Sequence, residues 1–175
     1  MLAQLELGAI RQGSAGPEQL AKRKELAQRL VIEESRHEAV EELYFWPAVR
    51  SHLTDGDDLA DLARDQEQQA KFILDRLDKV SSPEHEEFED QITHFISVGR
   101  SHIEFEETAV WPGLRAALTA NEADDLGREL AEAKDTAPTR PHPNTPPTPG
   151  LLKAAGAAVA AADRFRDAVT GRGEE

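Results

Sequence analysis

The chain has 175 residues, of which 39% are apolar, enough for one domain with a buried core. Its 34 acidic and 20 basic residues give a formal charge of −14 at pH 7, which argues against binding to nucleic acid or to anionic membranes, because both require clustered Lys and Arg. The absence of cysteine excludes disulfides, thiolate metal sites and a cysteine nucleophile.

The N-terminal stretch does not have the features of a targeting segment. It reads MLAQLELGAIRQG, with no basic region ahead of its apolar residues and with Glu6 inside them. No run of about 18 apolar residues is present anywhere in the chain. We therefore expect a cytoplasmic protein without a signal peptide or a membrane span.

Helix-forming residues dominate the chain up to residue 136, and alternating strand patterns are nearly absent. Breaks at 13–17, 54–57 and 81–83 contain Gly, Pro, Ser, Asp or Thr, which are typical of turns and helix caps. The pattern predicts helices over about 2–12, 18–53, 57–80, 83–118 and 120–136. We expect an all-α fold in which the main helices form an up-down four-helix bundle.

The composition changes at residue 137. The segment 137–150 reads APTRPHPNTPPTPG and contains six of the ten prolines, which predicts extended, polyproline-like chain. It can be a linker, a strap along the bundle or a ligand for an SH3-type domain. An Ala-rich stretch over about 151–170 predicts a last helix. The predicted organisation is a bundle over 1–136, an extended segment over 137–150 and a C-terminal helix and tail over 151–175.

One motif occurs twice, 65 residues apart. Residues 37–50 read HEAVEELYFWPAVR and residues 102–115 read HIEFEETAVWPGLR, so both copies contain H-x3-E-E-x3-W-P-x2-R. Each copy lies on the second helix of a predicted hairpin, which indicates two related hairpins around a pseudo-two-fold axis. The Trp-Pro steps predict a kink or an end in both helices.

The spacing within the motif has a chemical meaning. Residues four apart share one helix face, so His37 with Glu41, and His102 with Glu106, each direct an imidazole and a carboxylate to one place. If the two helices face each other, these donors converge in the bundle core, and such a set suits iron, manganese or zinc. Two cations would offset the cost of burying the carboxylates. The alternative is a pair of partly buried histidines that hydrogen-bond to carboxylates across the bundle.

The doubled pattern H-x3-E-E-x3-[aromatic]-P resembles that of the hemerythrin-like HHE cation-binding family over about 1–118. The run EAKDTAPTRPHP also resembles the tail of an actinobacterial branch of such proteins. The resemblance implies a hemerythrin-like four-helix bundle with a non-haem di-iron site, two irons per chain, for dioxygen, nitric oxide or peroxide. Manganese or zinc are alternative metals. It identifies His37, Glu41 and His102, together with Glu106 or Glu107, as metal ligands.

The sequence departs from the family where further histidines are expected. On the predicted third helix Glu67 stands at a histidine position, and on the predicted first helix Glu6 or Leu7 does so. These departures imply a carboxylate-rich variant of the site, with Glu67 and Glu6 completing or bridging it. Glu33 and Glu34 are candidate outer ligands, because Glu34 and His37 have the Glu-x-x-His spacing of other di-iron bundles.

Two functions from different classes follow from these patterns. The first is a metal protein that binds or reduces a small oxidant, with metal binding or sensing favoured over enzymatic turnover. The second is a degenerate bundle that binds no stoichiometric metal and acts as an interaction or regulatory module. A metal store or sensor without redox turnover is a third reading.

Overall fold

The computed structural model describes residues 16–144 and 149–172, and for 149–155 only the backbone. All regular elements in these ranges are helical, which confirms the predicted all-α class. The predicted helix over about 2–12, with Glu6, lies outside the described residues. The elements are α1 (Pro17–Val40), the π-helical segment π1 (Glu41–Phe45), α2 (Trp46–His52), α3 (Gly56–Lys79), α4 (Glu86–Phe105), the π-helical segment π2 (Glu106–Val110), α5 (Trp111–Ala117), α6 (Ala120–Thr136) and α7 (Pro149–Thr170).

The helices form a bundle with short connections. Segments α1, π1 and α2 follow one another without a break, as do α4, π2 and α5. Only 53–55 and 80–85 separate these two long rods from α3, so α3 runs antiparallel to both. The predicted start of the fourth helix at 83 is wrong by three residues. The His85 N–H donates to the Ser82 carbonyl at 3.2 Å, and this turn delays the helix to Glu86.

The turn between α2 and α3 requires a glycine. A Cβ atom on Gly56 would lie 2.3 Å from the Val49 carbonyl oxygen and 2.8 Å from the Arg50 Cα atom. Such contacts are shorter than van der Waals packing allows, so the two helices approach this closely only because position 56 has no side chain.

The two π-helical segments lie directly before the Trp-Pro steps of the motif. Pro47 and Pro112 stand in the first turn of α2 and α5. A proline lacks the N–H of a regular helix, and its ring clashes with the carbonyl four residues earlier. A widened turn immediately upstream relieves this clash, and such turns often occur at functional sites. The predicted interruption is therefore present in both helices at the same motif position.

The core consists of two apolar clusters at opposite levels of the bundle. One contains Leu30, Leu74 and Ile92 from α1, α3 and α4. The other contains Phe45 and Leu114, together with residues from the start of α3. We call α1–π1–α2 the first rod and α4–π2–α5 the second rod. Between the two apolar clusters lie residues 37–41 of the first rod, the middle of α3 and residues 102–106 of the second rod. These residues form a polar layer that separates the two apolar clusters.

The C-terminal part packs on the bundle. Helix α6 starts with a capping box. The Glu122 N–H donates to Thr119 Oγ1, and the Thr119 N–H donates to the Glu122 carboxylate. Residues 137–144 then form a strap, tied to α3 where the Gln68 amide donates to the Pro143 carbonyl at 2.9 Å and where Arg140 lies 3.2 Å from Asp78. Within the described ranges, no helix combines the length and apolar character of a membrane span.

Candidate metal centre

The polar layer brings together five of the predicted ligands. The first rod contributes His37 and Glu41, α3 contributes Glu67, and the second rod contributes His102 and Glu106. The three glutamates are buried, and the side chain of His102 is 12% exposed. The side chain of His37 is 45% exposed, so this imidazole stands at the solvent edge of the layer.

These residues form two overlapping groups. In the first, His37, Glu41 and Glu106 each direct one donor atom to within 4.8 Å of the others, and in the second Glu41, Glu67 and His102 do the same. Glu41 belongs to both. Its Oε1 atom lies 3.2 Å from His37 Nε2, and its Oε2 atom lies 3.8 Å from His102 Nε2. If a cation were bound beside each imidazole, this carboxylate would supply one oxygen to each of them.

The donor set fits a metal cation. Among the five residues of the layer, four buried atoms have no hydrogen-bond partner in the described part of the chain: Glu41 Oε2, Glu67 Oε2, His102 Nε2 and Glu106 Oε1. Leaving buried polar atoms unpartnered is costly, and these four belong to the same two groups. Imidazole nitrogens and carboxylate oxygens are donors that iron, manganese and zinc accept. A cation would satisfy all four atoms.

The electrostatics of the layer agree with this fit. Burial raises the pKa of Glu67 to about 8 and that of Glu106 to about 7. Burial, and then the nearby Glu106 carboxylate, raises the pKa of Glu41 well above its ordinary value. Burial lowers the pKa of His37, and it lowers that of His102 to about 4. Both imidazoles are therefore neutral at pH 7, which is the form that binds metal.

Two residues that the sequence analysis did not identify orient the donors. The His102 Nδ1 atom lies 2.9 Å from Gln66 Oε1, and because an amide oxygen only accepts, the proton is on Nδ1 and the Nε2 lone pair faces Glu41 and Glu106. The Trp46 indole N–H donates to Glu67 Oε1, which leaves Oε2 for the centre. The doubled Trp-Pro step could have indicated Trp46, whereas nothing in the sequence marks Gln66.

The other predicted ligands lie outside both groups or outside the described residues. Glu107 is exposed. Glu33 forms ion pairs of 3.0 Å with Lys134 and with Arg36 on the surface. Glu6 is not among the described residues, and metal binding by any of the predicted ligands stays a prediction.

A small cavity of about 90 Å³ adjoins the centre. His37, Glu67 and His102 line one side of it, and Glu34 and Glu38 also reach it. Its remaining lining is largely apolar, from Ala70, Phe95, Ile96, Val98, Gly99, Arg100 and Ile103. A cavity of this size has room for a molecule of a few atoms.

Glu38 is a further buried carboxylate that the sequence analysis did not identify as a site residue. Its Oε2 atom has no hydrogen-bond partner in the part of the chain that the structure describes, and burial raises its pKa well above the ordinary value. The positive charge of Lys71 opposes this rise in pKa, but Lys71 pairs with Glu42. The first rod therefore presents carboxylates on both sides of His37.

The fold and the donor set define a helical bundle with a histidine and carboxylate centre suited to cations. A family model described as the hemerythrin HHE cation-binding domain matches residues 1–114, well over half of the chain. The chain therefore belongs to the hemerythrin HHE family, as its doubled motif predicted. It is also similar to a DNA nickase of Nostoc sp. (strain PCC 7120), with 26% identity over 98 residues, which are 56% of this chain and only 27% of that protein. No solved structure matches the chain.

Proposed function

We propose that the chain binds two iron ions in the polar layer and that this centre binds or reduces a small oxidant such as dioxygen, nitric oxide or peroxide. The observation that carries the proposal is the position of Glu41, which directs one oxygen to His37 and the other to His102. Family membership supports cation binding.

Each cation would have three protein donors. His37, Glu41 and Glu106 would bind one, and Glu41, Glu67 and His102 would bind the other. Three protein donors leave coordination positions open for an exogenous ligand. When bound, an iron pair supplies the redox chemistry that a small oxidant requires. Manganese or zinc in the same positions would keep the ligand set and change the chemistry.

The chain's own residues would select the ligand and supply protons. The apolar cavity beside His37 and His102 restricts access to small molecules and limits the water around them. Glu34 lines this cavity, and burial raises its pKa to about 7, so its carboxyl holds a proton on a large fraction of molecules near neutral pH. Glu34 would therefore act as a proton donor to a ligand in the cavity.

The test compares Glu41→Gln with Glu107→Gln. Both variants replace a carboxyl group of the motif with an amide of the same size, but only Glu41 lies between the two histidines. After anaerobic reconstitution with ferrous iron, we expect about two irons per chain in the wild type and in Glu107→Gln, and less than about half of that in Glu41→Gln. The iron content is measured by mass spectrometry, and peroxide consumption is measured on the same samples.

Retention of both irons by Glu41→Gln would contradict the bridging role. A wild type that binds no iron, manganese or zinc, and whose melting temperature a chelator does not change, would contradict the whole proposal. That result would favour the degenerate bundle that acts as an interaction module.

A further inference from the structure

Two carboxyl groups beside the metal centre belong to neither group of donors. Glu34 and Glu38 line the cavity of about 90 Å³ that His37, Glu67 and His102 also line. Both lie on α1, and their four-residue spacing places them one turn apart on one helix face. A cation in this cavity would therefore lie next to two further carboxyl groups as well as to three donors of the centre.

Glu38 is the more deeply buried of these two residues. It is 5% exposed, and its Oε2 atom has no hydrogen-bond partner within the described ranges. The ammonium group of Lys71 forms its ion pair with Glu42, which leaves Glu38 without a cation of its own. A buried carboxylate without a counter-ion is costly, and a cation in the adjoining cavity would offset that cost.

Glu34 is half-buried and also lacks a cation of its own. Lys134 acts on it electrostatically but forms its ion pair with Glu33, at 3.0 Å. Among the described residues that line the cavity, Arg100 is the only Lys or Arg, and it is exposed, so water and salt screen its charge. This side of the cavity is therefore acidic, in a chain whose net charge of −14 attracts cations.

We propose that Glu34 and Glu38 form a transit site, in which a divalent metal ion binds before it moves to the donors of the metal centre. This inference rests on the proposed metal binding by the centre. Carboxylate oxygens suit hydrated ferrous and manganous ions, and two of them leave several coordination positions to water, so the ion is held weakly and can leave. His37 lines the same cavity and follows Glu34 by one turn, so its imidazole is within reach of the departing ion.

The first measurement is the rate of iron loading. The metal-free, full-length protein is mixed anaerobically with ferrous iron, and free iron is followed by stopped flow with a ferrous-sensitive dye. We expect Glu38→Gln to slow loading at least about fivefold, because an amide attracts the ion less than a carboxylate does. The final content should stay at about two irons per chain. The control is Glu104→Gln, the same substitution at an exposed position of α4 outside the cavity lining, which should load as the wild type does.

Two results of this measurement would overturn the proposal. The first is an equal loading rate for Glu38→Gln and Glu104→Gln. The second is a Glu38→Gln variant that holds fewer irons at equilibrium, because Glu38 would then be a ligand of the centre and not of a separate transit site.

The second measurement does not depend on an intact centre. A variant that combines Glu41→Gln with His102→Ala leaves both donor groups incomplete, and it is titrated with manganese at constant ionic strength while free manganese is followed by electron paramagnetic resonance. We expect one ion to bind with a dissociation constant below about 1 mM. Adding Glu38→Gln should weaken this binding at least about tenfold, and adding Glu104→Gln should not change it.

This titration separates the transit site from the proposed function. Manganese binding that depends on Glu38, in a chain whose wild type loads no iron, would contradict the proposed function and support a cation site at Glu34 and Glu38. A wild type that loads two irons, combined with no manganese binding by the double variant up to about 10 mM, would overturn the transit site alone.

Discussion

The rod built from α1, π1 and α2 and the rod built from α4, π2 and α5 carry the same motif in different surroundings. After its histidine, the first rod has the buried Glu38, where the second has Ile103, which is 40% exposed. Glu42 pairs with Lys71, whereas its counterpart Glu107 is exposed. Therefore the helix face that carries these two positions is covered by α3 and the strap in the first copy of the motif, whereas the corresponding face of the second copy is exposed to solvent.

The histidines and tryptophans of the two copies also differ. His102 is largely buried and is oriented by Gln66, whereas the side chain of His37 is 45% exposed. Trp46 donates to Glu67, but the ring of Trp111 lies under the Arg115 guanidinium, 5.3 Å away. The repeated sequence thus determines the backbone and the spacing of the donors, and the neighbouring helices determine what each copy contributes.

The largest expected effect is the loss of one imidazole. His102→Ala removes the imidazole that is buried and oriented, and we expect iron to fall below about one tenth of the wild-type content after reconstitution. His37→Ala removes an imidazole at the solvent edge, where water can replace it, so we expect a smaller loss. His94→Ala, an exposed histidine on α4, is the control and should keep the wild-type iron content. A larger loss for His37→Ala than for His102→Ala would reverse the assigned roles.

We expect a smaller loss of metal binding when His102 is kept and only the hydrogen bond that orients its imidazole is removed. Gln66→Leu deletes the acceptor for His102 Nδ1, and loss of such a hydrogen bond costs about 10- to 100-fold in metal affinity. The measurement is a competition titration with a metal-sensitive dye. Gln69→Leu changes an exposed glutamine on the same helix and should leave the affinity unchanged. Equal affinities for the two variants would show that Gln66 does not position His102.

Two glycines in different surroundings, Gly56 at the start of α3 and Gly113 in α5, allow a comparison of stability. Gly56→Ala forces a Cβ atom against the Val49 carbonyl, and we expect it to lower the free energy of unfolding by about 1–3 kcal/mol in urea titrations. Gly113→Ala in α5 places its Cβ atom 3.5 Å from Leu53 side-chain atoms, an ordinary contact. Since alanine favours helix, this variant should be neutral or slightly more stable. A stable Gly56→Ala variant would contradict the close approach of α2 and α3.

The smallest predicted effect is the pH dependence of stability in the metal-free protein. The folded-state pKa values of Glu67 and Glu106, about 8 and about 7, lie above the ordinary value of 4.5. Their contribution to stability is therefore complete at low pH and is lost as the pH rises through these values. The pKa of His102 is lowered from 6.5 to about 4, so its opposing contribution changes only below pH 6.5.

We therefore expect the metal-free protein to lose stability between pH 6.5 and pH 8, measured by urea unfolding. Saturating ferrous or manganous ion should abolish this loss, because bound cations keep the carboxylates ionised. If the free energy of unfolding of the metal-free protein did not fall over this interval, Glu67 and Glu106 could not be buried carboxyl groups that lack a compensating charge.

Much of the fold and part of the site could be predicted from the sequence. Composition and breakers predicted the helices, and the in-register repeat predicted that His37, Glu41, His102 and Glu106 would converge, because a four-residue spacing fixes the helix face. Three features were not predictable from that periodicity. The π-helical segments depend on backbone strain at proline, the roles of Gln66 and Trp46 depend on contacts between helices, and the start of α4 at Glu86 depends on a local turn.

The central claim is that Glu41 links two cations in one centre. Native mass spectrometry of the metal-free protein, titrated anaerobically with ferrous iron, tests it most directly, because it counts the ions on each molecule. The account predicts that the metal-free form gives way to a form with about two irons per chain, and that Glu41→Gln does not reach this form. A wild type that saturates with one iron, or that binds none, would contradict it.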